Sequence, residues 1–225
     1  MDSFDGKIAV VTGGGTGMGR ELCLALVKQG CAVATCDVLM DNLIETRDLC
    51  EADAPGVKIT LHECDVSSEE AMNRFRDEVV EEHGSKINLL FNNAGIGGGG
   101  SFVTDEDRAD WERTFNVCWY GVYYGCRAFV PLLINADEGH VINTSSINGF
   151  WASLGPDTPH TAYCSAKFAV KGFSEALIID LRMHAPHVKV SVVMPGHIGT
   201  SIAINSAKVL DRKSTRLNSS HTSIS

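Results

Sequence analysis

At 225 residues with 44% hydrophobic content, the chain can bury one sizeable core, and no shift in composition marks a second. Its net charge of -9 is spread along the sequence without a Lys/Arg cluster, which argues against nucleic acid or an anionic membrane as a partner. Eight cysteines lie scattered with no Cys-x-x-Cys pair, as buried reduced thiols do, and with no apolar signal core and no apolar run of spanning length the expectation is a cytoplasmic protein.

Short β-branched runs alternate with longer amphipathic ones. Residues 8–11 predict a first strand and 18–29 a helix. The pattern repeats as 32–34 and 41–52, 57–61 and 68–83, 87–91 and 105–133, 139–143 and 161–184, with a last strand over 188–193. Continuous apolar strands joined by helices predict an α/β fold: a doubly wound parallel sheet of the Rossmann type, with helices on both faces. Ligands of such sheets bind beyond the carboxyl ends of the strands, so functional residues are expected just after each strand.

The first strand runs into Thr12-Gly13-Gly14-Gly15-Thr16-Gly17-Met18-Gly19 and then a helix. A glycine-rich turn there lets backbone N–H groups approach a pyrophosphate in front of the helix dipole, although a tight turn can need glycines for its own sake. Asp37 ends the second strand, where a carboxylate would accept hydrogen bonds from the adenosine ribose and repel a 2′-phosphate. With Thr16 rather than a basic residue before Gly17, and Arg20 expected to point along the helix, NAD is favoured over NADP. Asp65, after the third strand, would accept from the adenine amino group or cap the next helix, a role equally open to Ser67 or Ser68. The run Gly97-Gly98-Gly99-Gly100 reads as a flexible loop.

Further along, Tyr163 and Lys167 stand at i and i+4 on one predicted helix face. A neighbouring cation favours phenolate and would bring a phenol of pKa about 10 toward the working range of an acid/base catalyst. Alone, that spacing also describes a packed ring beside a solvated lysine. His184, His187 and His197 are too irregularly placed for a metal set, and no metal is expected.

Together these residues resemble the short-chain dehydrogenase/reductase family, in its ordinary single-domain branch, from Lys7 to about Thr200. The family's Thr-Gly-x-x-x-Gly-x-Gly reads Thr12, Gly13, Gly17, Gly19, and its Asn-Asn-Ala-Gly reads Asn92, Asn93, Ala94, Gly95. Its helical asparagine matches Asn116, its serine lies in Asn143-Thr144-Ser145-Ser146, its Tyr-x-x-x-Lys is Tyr163 and Lys167, and its Pro-Gly is Pro195-Gly196. The resemblance implies hydride transfer between a nicotinamide and a secondary alcohol or ketone. Tyr163 would donate the proton, Ser146 would hold the substrate oxygen with Ser145 as the alternative, Lys167 would tune the phenol and bind the nicotinamide ribose, and Asn116 would anchor a relay water. The cofactor site would comprise Gly13, Thr16, Gly17, Met18, Gly19, Asp37, Asp65, Val66, Asn93, Ala94, Gly95, Pro195, Gly196, Ile198 and Thr200, with Tyr163 and Lys167. Thr200 would hold the carboxamide, or else cap a helix.

The stretch from Ser146 to Tyr163 is longer than the family's, and its Phe150, Trp151 and Leu154 would form either an apolar wall beside the carbonyl or a packed subunit interface. The single domain is expected to span 1–210. Residues 211–221 look like a translated sequencing adapter, so 211–225 is expected to be a non-native tail and the family's final strand to be missing. Two other readings stay open: a redox-silent nucleotide-binding protein on the same fold, and an inactive truncated fragment. A full-length form would be a homodimer or homotetramer acting on a small molecule.

Overall fold

The computed structural model describes residues 1–98, 100–103, 108–153, 159–196 and 206. Six parallel strands, β1 (Ile8–Thr12), β2 (Ala32–Asp37), β3 (Ile59–Glu63), β4 (Leu89–Asn92), β5 (Gly139–Thr144) and β6 (Val188–Val193), lie in the order β3-β2-β1-β4-β5-β6. The chain therefore runs outward one way from β1 to β3 and returns through β4 to the other side. That reversal opens a crevice at the carboxyl ends of β1 and β4.

The helices are α1 (Gly17–Lys28), α2 (Met40–Asp53), α3 (Glu69–His83), α4 (Arg108–Phe115), α5 (Gly121–Ile134) and α6 (Thr161–His184). The two-residue period of β1 divides the core. Ala9 and Val11 pack with Cys23, Leu26 and Val27 of α1, while Val10 joins Met72 and Phe75 of α3, Phe129 and Leu133 of α5, and Val170 of α6. Each face of the sheet is thus apolar because helices cover both. A buried polar chain crosses the second layer: Asn92 Nδ2 donates to Asn143 Oδ1 at 2.8 Å and Asn143 Nδ2 to Ser174 Oγ at 3.0 Å, joining β4, β5 and α6.

Several elements depart from the sequence expectation. The third strand begins at Ile59 rather than 57 and runs on through His62 and Glu63, because these pair in register with Cys36 and Asp37. Ile87 spends its N–H on the Leu132 carbonyl, and β4 starts only at Leu89. The single helix expected over 105–133 is α4 and α5 joined by a π-turn, Asn116–Tyr120, in which the Gly121 N–H reaches back to the Asn116 carbonyl. Joined in this way, Arg108–Ile134 is a 27-residue helix long and apolar enough to cross a membrane by composition, which corrects the expectation that no run reaches that length. Its apolar window is 56% buried in this domain. Ile198, Thr200, His197, Leu154 and the tail from 211 lie outside the described residues.

Candidate active site

The glycine turn is held from three sides. Gly13 and Gly14 donate to the Cys36 carbonyl, Gly15 N donates to Asp37 Oδ2 at 3.1 Å, and the buried Thr46 of α2 donates to the Gly14 carbonyl at 2.9 Å. Gly13 has φ +70°, and a Cβ there would lie 2.8 Å from Ala94 Cα; a Cβ on Gly19 would run into the Gly13 carbonyl oxygen. Both positions therefore exclude a side chain. Arg20 does not run along its helix as expected. It folds back onto the Gly15 carbonyl at 2.6 Å and pairs with Glu45 at 2.7 Å, because those acceptors from the turn and α2 sit over the first turn of α1.

Asp37 takes a second backbone bond from Leu39 N at 3.2 Å. Burial raises its carboxyl above the usual range against these backbone donors, which favour the ionised form. On the neighbouring strand end, Asp65 receives Ser67 N and Oγ on Oδ1 and Arg113 Nη1 on Oδ2 at 2.7 Å. Burial opposes its ionisation, and the Ser67 and Arg113 bonds outweigh that to hold its pKa below the usual value. Ser68, not Asp65, caps α3, accepting from Ala71 N. Asn93 is tied to β1: its N–H donates to Thr12 Oγ1 and its Nδ2 to the Thr12 carbonyl, both at 3.0 Å.

Across the crevice, α6 presents Tyr163 and Lys167. Lys167 is 2% exposed, and its ammonium donates to the Thr144 carbonyl at 2.7 Å. Burial lowers its pKa. Its Nζ lies 5.5 Å from the centre of the Tyr163 ring, rather than on the hydroxyl. Burial pushes the phenol up to about 12, against a hydrogen bond with Ser146 that acts the other way. The shift is therefore upward, opposite to the depression expected from the Tyr163–Lys167 spacing, because burial penalises the phenolate. Ser146 Oγ accepts from Asn148 N at 3.1 Å, whereas Ser145 Oγ is committed to the Lys167 carbonyl.

One cavity of about 340 Å³ joins the two ends. Its walls include Gly13, Thr16, Gly17, Met18, Gly19, Asp37, Asp65, Val66, Asn93, Ala94, Gly95, Ser145, Ser146, Tyr163, Lys167, Pro195 and Gly196. Asn116 is not among them. It opens the π-turn, half buried, and its side chain makes no hydrogen bond to the described residues, while Arg113 and Val117 line the wall on either side. Phe150 and Trp151, 67% and 65% exposed, also stand outside the cavity rather than walling it. The lining further holds Arg113, Asn148 and His160, whose ring stacks on Tyr163 at 4.9 Å. Nothing local in the sequence marks these three, since each is identified only by a partner brought near in the fold.

A doubly wound sheet with a glycine turn at its switch point, an acidic strand end beside it and a Tyr–Lys pair across one cleft defines a dinucleotide-binding oxidoreductase domain. The family model described as short chain dehydrogenase matches residues 7–210, and the chain belongs to that family. It is 40% identical over 205 residues to SadH of Mycobacterium tuberculosis, a protein assigned as an oxidoreductase, covering 91% of this chain and 71% of that one. A short-chain dehydrogenase/reductase from Burkholderia phymatum, solved in complex with NAD, superposes with TM-score 0.82 at 33% identity over 93% of this chain and 72% of that one. A metagenomic short-chain oxidoreductase solved with NADP superposes with TM-score 0.75 at 32% identity over 88% and 85%.

Proposed function

We propose that the protein is an NAD-dependent oxidoreductase acting on a secondary alcohol or ketone. The observation that carries this reading is one cavity with the Gly13–Gly19 turn and Asp37 at one end and Ser146, Tyr163 and Lys167 at the other. The first N–H groups of α1, at Gly17, Met18 and Gly19, suit a pyrophosphate, and the turn is bare of side chains where it closes. Asp37 suits the two ribose hydroxyls of NAD and repels a 2′-phosphate. Arg20, committed to Glu45, is not free to offset that repulsion.

When bound, NAD accepts or returns the hydride. Charge develops on the substrate oxygen as the hydride moves, and Ser146 and Tyr163 converge on that oxygen as donors. In the oxidative direction the hydroxyl proton passes to the Tyr163 phenolate, and in reduction Tyr163 gives it back. Because burial holds the phenol high, Lys167 serves best through the nicotinamide ribose, with the positive nicotinamide ring supplying the rest of the depression. Asn116, at the head of the π-turn, anchors the water that links Lys167 to solvent. Exposed Tyr120 and Ile134 on the α5 side and Phe168, Ile179 and Met183 on α6 suit self-association into a homodimer or homotetramer.

The test is a panel of secondary alcohols and ketones, followed by NADH absorbance with NAD and with NADP. Turnover with NAD that disappears in Tyr163→Phe is the expected result. Turnover retained by that variant would remove Tyr163 as the proton donor.

A further inference from the structure

Helix α4 touches both ends of the cavity. On one side Arg113 Nη1 donates to Asp65 Oδ2 at 2.7 Å and to Ser67 Oγ at 2.6 Å. On the other, Trp111 Nε1 donates at 2.9 Å to Oγ1 of Thr161, the first residue of α6 and two before Tyr163. Trp111 is braced within α4 by Phe115, whose ring stacks on it at 5.4 Å and 7°. One turn beyond Arg113, at i+3, the helix reaches Asn116 and the π-turn.

The bonding at Asp65 gives this arrangement a direction. A carboxylate has about four acceptor positions. Ser67 takes two of them on Oδ1 and Arg113 takes one on Oδ2, so an incoming amino group finds its acceptor on the oxygen that Arg113 already holds. Both Arg113 and Asp65 line the cavity, so a ligand on that oxygen lies within reach of the ion pair.

We propose that Arg113 is a positioning residue through which occupation of the adenine end sets the first turn of α6, and with it Tyr163. The inference rests on the nucleotide reading of the cavity. A donor on Oδ2 strengthens the Asp65–Arg113–Ser67 triangle and orders α4, and α4 carries that order to Thr161 through Trp111. Binding free energy far from the reacting carbon is thereby used to hold the proton donor. In linkage terms, adenine binding and the ordered form of the first turn of α6 favour each other by the same factor.

The probe is AMP, which carries the adenine and its ribose but has no group that reaches Tyr163. Amide hydrogen exchange is followed over 161–167 in the whole protein. In the wild type, saturating AMP is expected to slow exchange there severalfold. In Arg113→Met, AMP is expected to bind about tenfold more weakly, and at saturation to leave 161–167 unprotected. In Trp111→Phe, AMP affinity is expected to fall by no more than the severalfold coupling factor while protection of 161–167 at saturation is lost, a split that a merely structural role would not produce. Should Arg113→Met not fold, Trp111→Phe carries the test alone. AMP and NADH binding with no protection of 161–167 in the wild type, or with full protection in the variants, overturns the coupling and leaves the nucleotide reading standing. Failure of the wild type to bind either ligand overturns both.

Discussion

The hydroxyl of Ser145 donates to the backbone carbonyl of Lys167 at 2.7 Å, while the Lys167 ammonium donates at the same distance to the carbonyl of Thr144, the residue before Ser145. The end of β5 and the second turn of α6 are thereby tied twice, crosswise, one turn beyond Tyr163. Both adjacent serines line the cavity, but only the Ser145 hydroxyl is spent on this tie.

Replacing each serine by alanine should separate those duties. Ser145→Ala loses one buried hydrogen bond and should cost about 1 kcal/mol, lowering the melting temperature by about 2–4 °C. Ser146→Ala also loses one hydrogen bond, from Asn148 N, and should lower the melting temperature by a similar amount, but it should in addition lower kcat about 10²–10³-fold, as removal of a donor to a developing oxyanion does. Thermal melts and NADH-linked kinetics on both variants check this. A larger loss of kcat in Ser145→Ala would exchange their roles.

Tyr163 should leave a mark on alkaline stability. The unfolded phenol titrates near 10 and the folded one is pushed up to about 12 by burial, so the folded state prefers the neutral form. The stability this preference gives is fully present below pH 10 and is lost as pH rises toward 12, about 2–3 kcal/mol in all. Urea melts at pH 9 and pH 11.5 should show a smaller alkaline loss in Tyr163→Phe than in the wild type.

Gly19 should tolerate no side chain. A Cβ there meets the carbonyl oxygen of Gly13, a backbone atom held by the turn, so Gly19→Ala must shift the loop. A loss of about 1–3 kcal/mol, together with weakened NADH binding by fluorescence titration, is the expected outcome. Gly56→Ala, whose Cβ meets nothing within 4 Å but whose φ is +89°, should lose stability without weakening NADH binding.

Cofactor choice should follow the charge on Asp37. Asp37→Asn keeps an acceptor for the Gly15 N–H but removes the repulsion of a 2′-phosphate, so the ratio of kcat/KM for NAD over NADP should fall about tenfold. An unchanged ratio would place the discrimination elsewhere in the cavity.

Strand-ending and glycine-bearing positions were readable from the chain because their signals are local. The Thr12–Gly19 turn, Asp37 and the Tyr163–Lys167 spacing each announce themselves within a few residues. The β-branched runs likewise gave the parallel sheet and all six strands to within a few residues at their ends. What stayed hidden depends on partners distant in the chain. Arg113 looks like any helix-surface charge until Asp65 arrives beside it, and Thr46 looks like a poor helix former until the Gly14 carbonyl meets it. Arg20 was misread for the same reason, since its acceptors on the turn and on α2 are set by the fold. The Tyr163 phenol is raised rather than lowered because of burial, which a spacing argument does not see.

The π-turn at Asn116–Tyr120 lets one continuous rod serve two masters. An α-helix turns about 100° per residue, so the register of α4 would ordinarily dictate which side α5 shows to the sheet. The wide turn breaks that dependence: α4 can offer Arg113 to the cleft and Trp111 to the start of α6 while α5 still turns Val122, Cys126, Phe129 and Leu133 inward. Removing a single residue between 116 and 120 would restore an unbroken spiral and set those two loyalties against each other.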